Sequence, residues 1–234
     1  MKKYGEKHPI ASVIILFAIG VILRGIIAGL LNAGGFDSAV SGSIARILMG
    51  IVFLVFSLRK IKLGNSFQGF VIMLPVLLFA AYKIPYHFVS GGGNPNMITL
   101  PIILIGLAPA VFEEILFRGI FIFNLKKKYS NPITIVFVSA LVFSLIHLTN
   151  IIGMDVISLS IQLIMAFVVG VILSAVYLRT GDIVSVIIAH FLIDVTSGIF
   201  PGGGFTPYYF LAIIIALWIV GTVYGFLLAR KASV

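Results

Sequence analysis

The chain has 234 residues, of which 61% are apolar and 10% charged, against about 45–50% and about 25% in an ordinary globular domain. Its mean hydropathy is +1.22, and no long polar or low-complexity segment interrupts the apolar runs, so a polytopic membrane protein without a sizeable hydrophilic domain is indicated. Sixteen Lys and Arg against seven Asp and Glu give a net charge of +9, and there is no cysteine, which excludes disulfides, thiolate metal sites and cysteine nucleophiles.

In chain order, about eight apolar runs approach the roughly 20 residues that a spanning helix needs. They lie near 10–32, 38–58, 66–82, 97–125, 132–149, 155–178, 182–199 and 207–229. The third, fifth and seventh are short. Loop-like clusters such as LKKKYSNP, LRTGD and VSGGGNPN separate them. The first run follows MKKYGEKHP and is too long for a signal peptide, with no small-residue cleavage site after it, so a retained anchor is expected. The expected fold is an all-α polytopic bundle forming a single transmembrane domain over residues 1–234.

Orientation follows from the basic residues. A cytoplasmic amino terminus places Lys2, Lys3, Lys7, Arg59, Lys60, Lys62, Lys126, Lys127, Lys128, Arg179, Arg230 and Lys231 on the inside, with only Lys83 in the opposite loops. Both termini are then cytoplasmic. Topology and anionic lipid account for the positive charge, so no nucleic-acid partner is implied.

Three further cations, Arg24, Arg46 and Arg118, fall within the runs, as do several acids and histidines. An ionisable group in hydrocarbon costs at least about 2.5–3.5 kcal/mol on insertion scales, so each asks for a partner or a function. At about 1.5 Å per residue, Glu113 lies about 18 Å from the cytoplasmic end of its run, His147 about 22 Å, His190 about 12 Å and Asp194 about 18 Å. Residues from three separate runs therefore converge near one level.

The stretch APAVFEEILFRGIF, residues 108–121, holds two adjacent glutamates. At about 100° per residue Arg118 lies about 40° from Glu114 but about 140° from Glu113, which makes Glu114 and Arg118 the i, i+4 pair and leaves Glu113 free to face elsewhere. His190 and Asp194 also share a helix face, and Phe143 sits one turn before His147. A free carboxylate with two histidines and an aspartate in an apolar bundle is an inventory for activating water.

EEILFR, FSLIH and HFLID, in that order, resemble the EExxxR, FxxxH and HxxxN motifs of the CPBP family of intramembrane proteases, the type II CAAX prenyl endopeptidase and bacteriocin-processing or self-immunity group. The resemblance covers about residues 97–200, the motif-bearing core. It implies an intramembrane endopeptidase acting on a membrane-associated peptide or protein, in which Glu113 and His147 activate the attacking water. By the same resemblance, His190 and the residue at 194 polarise the scissile carbonyl and stabilise its oxyanion, while Glu114, Arg118 and Phe143 give structural support. A bacterial plasma membrane is the expected location, with bacteriocin or pheromone processing or self-immunity as the expected setting.

Asp194 departs from the family's asparagine: an ionised aspartate only accepts hydrogen bonds, so it is protonated, orients His190 or binds a metal. Glu113, His147, His190 and Asp194 are all acceptable zinc ligands, and a catalytic zinc needs three protein ligands and a water, so Zn2+ stays an open cofactor. A different class of function also stays open, a non-proteolytic membrane scaffold or immunity protein or a proton-coupled transporter using the same buried carboxylates.

Simpler readings apply elsewhere. Arg24 and Arg46 can snorkel to headgroups, pair with Asp37 or meet a substrate carboxylate. His87, beside Tyr82 and Tyr86, reads as part of an aromatic belt, and the glycine triplets at 91–93 and 202–204 read as flexible loops.

Overall fold

Apolar runs in lipid satisfy their backbone groups only by closing them internally, and every element of the computed structural model is helical among the described residues, 2–58, 61, 64, 66–203 and 208–233. Arg59, Lys60, Lys62 and Gly204 lie outside these residues. In chain order the helices are α1 (Lys2–Lys7), α2 (Pro9–Ala33), α3 (Ser38–Ser57), α4 (Ser66–Ala81), α5 (Lys83–Val89), α6 (Leu100–Glu114), α7 (Ile122–Lys128), α8 (Pro132–Leu145), α9 (Val156–Thr180), α10 (Ile183–Ile199) and α11 (Tyr208–Ala229).

Seven helical stretches among the described residues are long and apolar enough to cross a membrane. The seventh expected run is helical, but α10 has 17 residues, about 26 Å of helix against a hydrocarbon core of about 30 Å. The other two short runs gain length from their neighbours. The third continues through Tyr82 into α5, and the fifth is extended by a 3-10 segment, Ile146–Ile152.

Helix starts are set by short polar side chains that accept from orphan backbone donors. Asp37 Oδ1 accepts from Ala39 N at 2.9 Å, Asn131 Oδ1 from Ile133 N at 2.9 Å, and Asp155 Oδ1 from Ile157 N and Ser158 N at 3.0 Å each. Asp182 caps α10 through Ser185 N at 3.0 Å. Just before it, Gly181 closes α9 with φ +69 and donates to Tyr177 O at 2.8 Å, a left-handed cap that suits glycine.

α6 and α7 form one continuous path joined by a π-helical segment, Ile115–Phe121. Such i→i+5 turns are rare and frequently mark functional sites inside α-helices. The segment is wholly buried and contributes Phe117, Phe121 and Arg118 to the core. α6 packs against α3 on one side and α10 on the other, while α9 packs on α8 and α11.

Small residues permit the close crossings that hold membrane helices together. A Cβ on Gly106 of α6 would stand 3.0 Å from Val195 N of α10, and one on Gly170 of α9 would stand 3.1 Å from the Ala140 Cα of α8. The first crossing sets the distance between the glutamates of α6 and the histidine of α10. The second brings the α9 backbone to Arg118, whose Nη2 donates to Gly170 O at 3.4 Å.

Candidate active site

The two glutamates part company as the helical spacing predicts. Glu114 is fully buried and its Oε1 accepts from Arg118 Nη1 at 2.8 Å. Glu113 is half-buried and lines a cavity of about 930 Å³ together with His147, His190 and Asp194. It takes part in no hydrogen bond or ion pair among the described residues. The cavity is of the size that holds small ligands and peptide segments.

Glu114 does more than neutralise Arg118. Its Oε1 also lies 2.7 Å from His190 Nδ1, so one carboxylate oxygen joins α6, the π segment and α10. The opposite ring nitrogen, Nε2, is 3.4 Å from Asp194 Oδ2, one turn on. His190 is thus held between two carboxylates, with a ring that is nearly buried and an Asp194 side chain that is 32% exposed. Glu114 has a positioning role that the sequence reading, which paired it only with Arg118, had not included.

His147 leaves the regular helix. It stands on the 3-10 segment after α8, half-buried, and its Nδ1 donates to Phe143 O at 2.9 Å. That bond fixes the proton on Nδ1 and leaves Nε2 as an acceptor. The Phe143 ring is the hub of the cluster. Arg118 Cζ sits 4.4 Å above its centroid, the His147 ring meets it edge-on at 5.1 Å, and the rings of His190 and Phe117 do so at 6.1 and 5.1 Å. A cation over an aromatic face is attractive by about 0.5–2 kcal/mol, more when dry.

The donor set does not fit a zinc site. Among the described residues no three His, Asp or Glu side chains converge as ligands, and His190 already directs Nδ1 to Glu114 and Nε2 towards Asp194. Glu113, His147, His190 and Asp194 share a cavity wall without forming a coordination sphere.

Several polar residues given plainer readings stand elsewhere. Arg24 and Arg46 do not pair with Asp37, whose carboxylate caps α3; both line the cavity with Glu113. Asn150 and Gln162, which the sequence reading passed over, line it too and are joined by a 2.9 Å hydrogen bond. Their signal was their polarity at the edges of apolar runs. His87 is not a belt residue: it is fully buried, with Nε2 3.1 Å from Gly93 O and Nδ1 against Pro201 O. Of the glycines around it, Gly92, Gly202 and Gly203 pack closely, a Cβ on them meeting His87, Tyr86 and Ser90 respectively, while Gly91 and Gly93 are turn residues. Gly91 and Gly93 have φ of +80 and +73, and Gly203 N donates to Ser90 Oγ at 2.7 Å.

The segment that carries Glu113, Glu114, His147, His190 and Asp194 is also the one that a family model matches. A model of the Rce1-like family, the type II CAAX prenyl endopeptidases, matches residues 95–196. Over residues 95–196 the chain is similar to the Rce1-like family. No curated protein and no solved structure matches the chain. The Rce1-like segment is that of a protease family, and it includes Glu113, Glu114, Arg118, Phe143, His147, His190 and Asp194. Arg24 and Arg46 fall outside it.

Proposed function

We propose that the chain is an intramembrane endopeptidase that hydrolyses peptide bonds of membrane-associated peptides or proteins, with Glu113 as the general base. The observation that carries this reading is the contrast between neighbours, a Glu113 that makes no hydrogen bond among the described residues and opens to a cavity beside a Glu114 committed to Arg118 and His190. A carboxylate retained in lipid without a hydrogen-bonding partner asks for a task, and the Rce1-like match suggests the class of reaction.

The chemistry follows from the side chains. Glu113 and the free Nε2 of His147 both accept hydrogen bonds and hold a water between them. As the water oxygen bonds to the scissile carbonyl carbon, one of its protons passes to Glu113. When the C–N bond breaks, the departing nitrogen takes that proton back, leaving a carboxylic acid and an amine. The Nε2–H of His190, held only at 3.4 Å by Asp194 Oδ2, is shared with the oxyanion as it forms, a contribution typically worth about 2.7–4 kcal/mol per donor. Glu114 holds the ring in place for that contact, and Asp194 receives it on the other side.

No step needs a metal with these donors as arranged. The cluster of basic residues supports an orientation with both termini cytoplasmic. Cleavage of a quenched library of membrane-anchored peptides by the purified, folded protein tests the reading. Turnover is expected, and its absence over a broad library would favour a scaffold or transporter.

A further inference from the structure

Two arginines from outside the family segment face the same cavity as Glu113. Arg24 comes from α2 and Arg46 from α3, both half-buried. Arg24 lies within electrostatic range of Arg46 and of Glu113. Neither arginine has a hydrogen bond or ion pair among the described residues.

The wall carries two guanidinium groups, Arg24 and Arg46, and two carboxylates, Glu113 and Asp194, with unequal partners. Asp194 is engaged by His190 and lies within electrostatic range of Lys83. That leaves Glu113 as the acid facing two guanidinium groups. Two like charges in a low-dielectric cleft are held there at a cost unless an anion joins them, and guanidinium forks match a carboxylate well.

We infer that Arg24 and Arg46 are specificity-determining residues that bind a carboxylate of the peptide substrate. The inference rests on the protease reading of this site. Along the helix axes, at about 1.5 Å per residue, Arg24 is about 14 Å before the end of α2, Arg46 about 12 Å after the start of α3, and Glu113 about 20 Å after the start of α6. These three helix ends lie on one side of the bundle, so the arginines stand about 6–8 Å nearer that side than the base. An extended chain covers that in about two residues. The carboxylate recognised is therefore about two residues from the scissile bond, either the chain terminus or an acidic side chain.

The test compares cleavage of matched membrane-anchored peptides in phosphatidylcholine vesicles: free carboxyl terminus against amide, and Asp against Asn two residues from the scissile bond. In the wild type, neutralising the relevant carboxylate should lower kcat/KM about tenfold or more, chiefly through KM. The arm that responds identifies the source. Arg24→Gln and Arg46→Gln should lose the preference, and Arg24→Lys and Arg46→Lys should recover part of it, which separates charge recognition from a folding defect. Equal cleavage of charged and neutral peptides by the wild type overturns the inference, as does a preference that survives in the glutamine variants. A rate that responds only to replacing phosphatidylcholine with phosphatidylglycerol, alike for all peptides, overturns it in favour of lipid phosphate. No cleavage of any peptide strikes the protease reading instead. Binding of the same peptides to the Glu113→Gln variant then decides the arginines: tighter binding of the charged form upholds the pair as a carboxylate receptor, and equal binding overturns it.

Discussion

Glu114 Oε1 lies 2.7 Å from His190 Nδ1, although the two residues are 76 positions apart, and the same oxygen accepts from Arg118 at 2.8 Å. His190, one of the two histidines that line the cavity, is thus held by a carboxylate that does not itself line it. Its neighbour Glu113 is the carboxylate that lines the cavity.

Removing the charge of Glu114 leaves Arg118 buried without a counter-ion, a loss of about 3–5 kcal/mol for a broken buried pair. Glu114→Gln should therefore lower the detergent Tm and the folded yield, and reduce activity in the fraction that folds. Thermal unfolding alongside activity per folded molecule checks both effects. An unchanged Tm would show that the ion pair contributes little.

Phe143 lies beneath Arg118 and beside both histidine rings. Phe143→Leu keeps much of the apolar volume but removes the aromatic face and the edge contacts. The expected loss is about 0.5–2 kcal/mol of stability, with kcat reduced more than KM because His147 and His190 lose their orientation. Steady-state kinetics would contradict this if only KM moved.

Gly106 holds α6 against α10. Gly106→Val inserts a branched side chain where a single Cβ already meets the Val195 backbone at 3.0 Å, and overpacking of this kind costs about 1–3 kcal/mol. It should also widen the gap between Glu114 and His190 and cut turnover without altering any charged group. Retained turnover with a lowered Tm would separate the packing from the chemistry.

Asp194→Asn preserves a hydrogen-bonding group next to His190 Nε2 and should keep activity within about tenfold. Asp194→Ala should lose more. Since the four acids and histidines of the cavity do not converge as ligands, a chelator should leave the rate of the purified protein unchanged. A rate restored by added Zn2+ would contradict the arrangement described.

Much of this was legible in the sequence because lipid leaves few choices. Apolar runs of spanning length had to be helices, and α2, α3, α6, α9 and α11 lie where hydropathy puts them. The division between Glu113 and Glu114 was legible because 100° per residue assigns Arg118 to one of them. The π segment was not, since ILFRGIF has the same composition as the α-helix around it. Nor was the contact from Glu114 to His190: depth placed both near one level, but only packing through Gly106 selects which oxygen meets which nitrogen. Of the alternatives open for Arg24 and Arg46, pairing with Asp37 does not occur, and the sequence could not show that both line a cavity with residues of α2 and α6. His87 was misread for a similar reason, its partners Gly93 and Pro201 lying on two separate loops.

The most direct measurement is the rate of membrane-anchored peptide cleavage by the purified wild type beside Glu113→Gln, each shown folded by its thermal transition. The expected result is cleavage by the wild type and a loss of at least about 10²-fold in the variant at an unchanged Tm, the size of a general-base contribution. Wild-type rates in Glu113→Gln would contradict the assignment of the base.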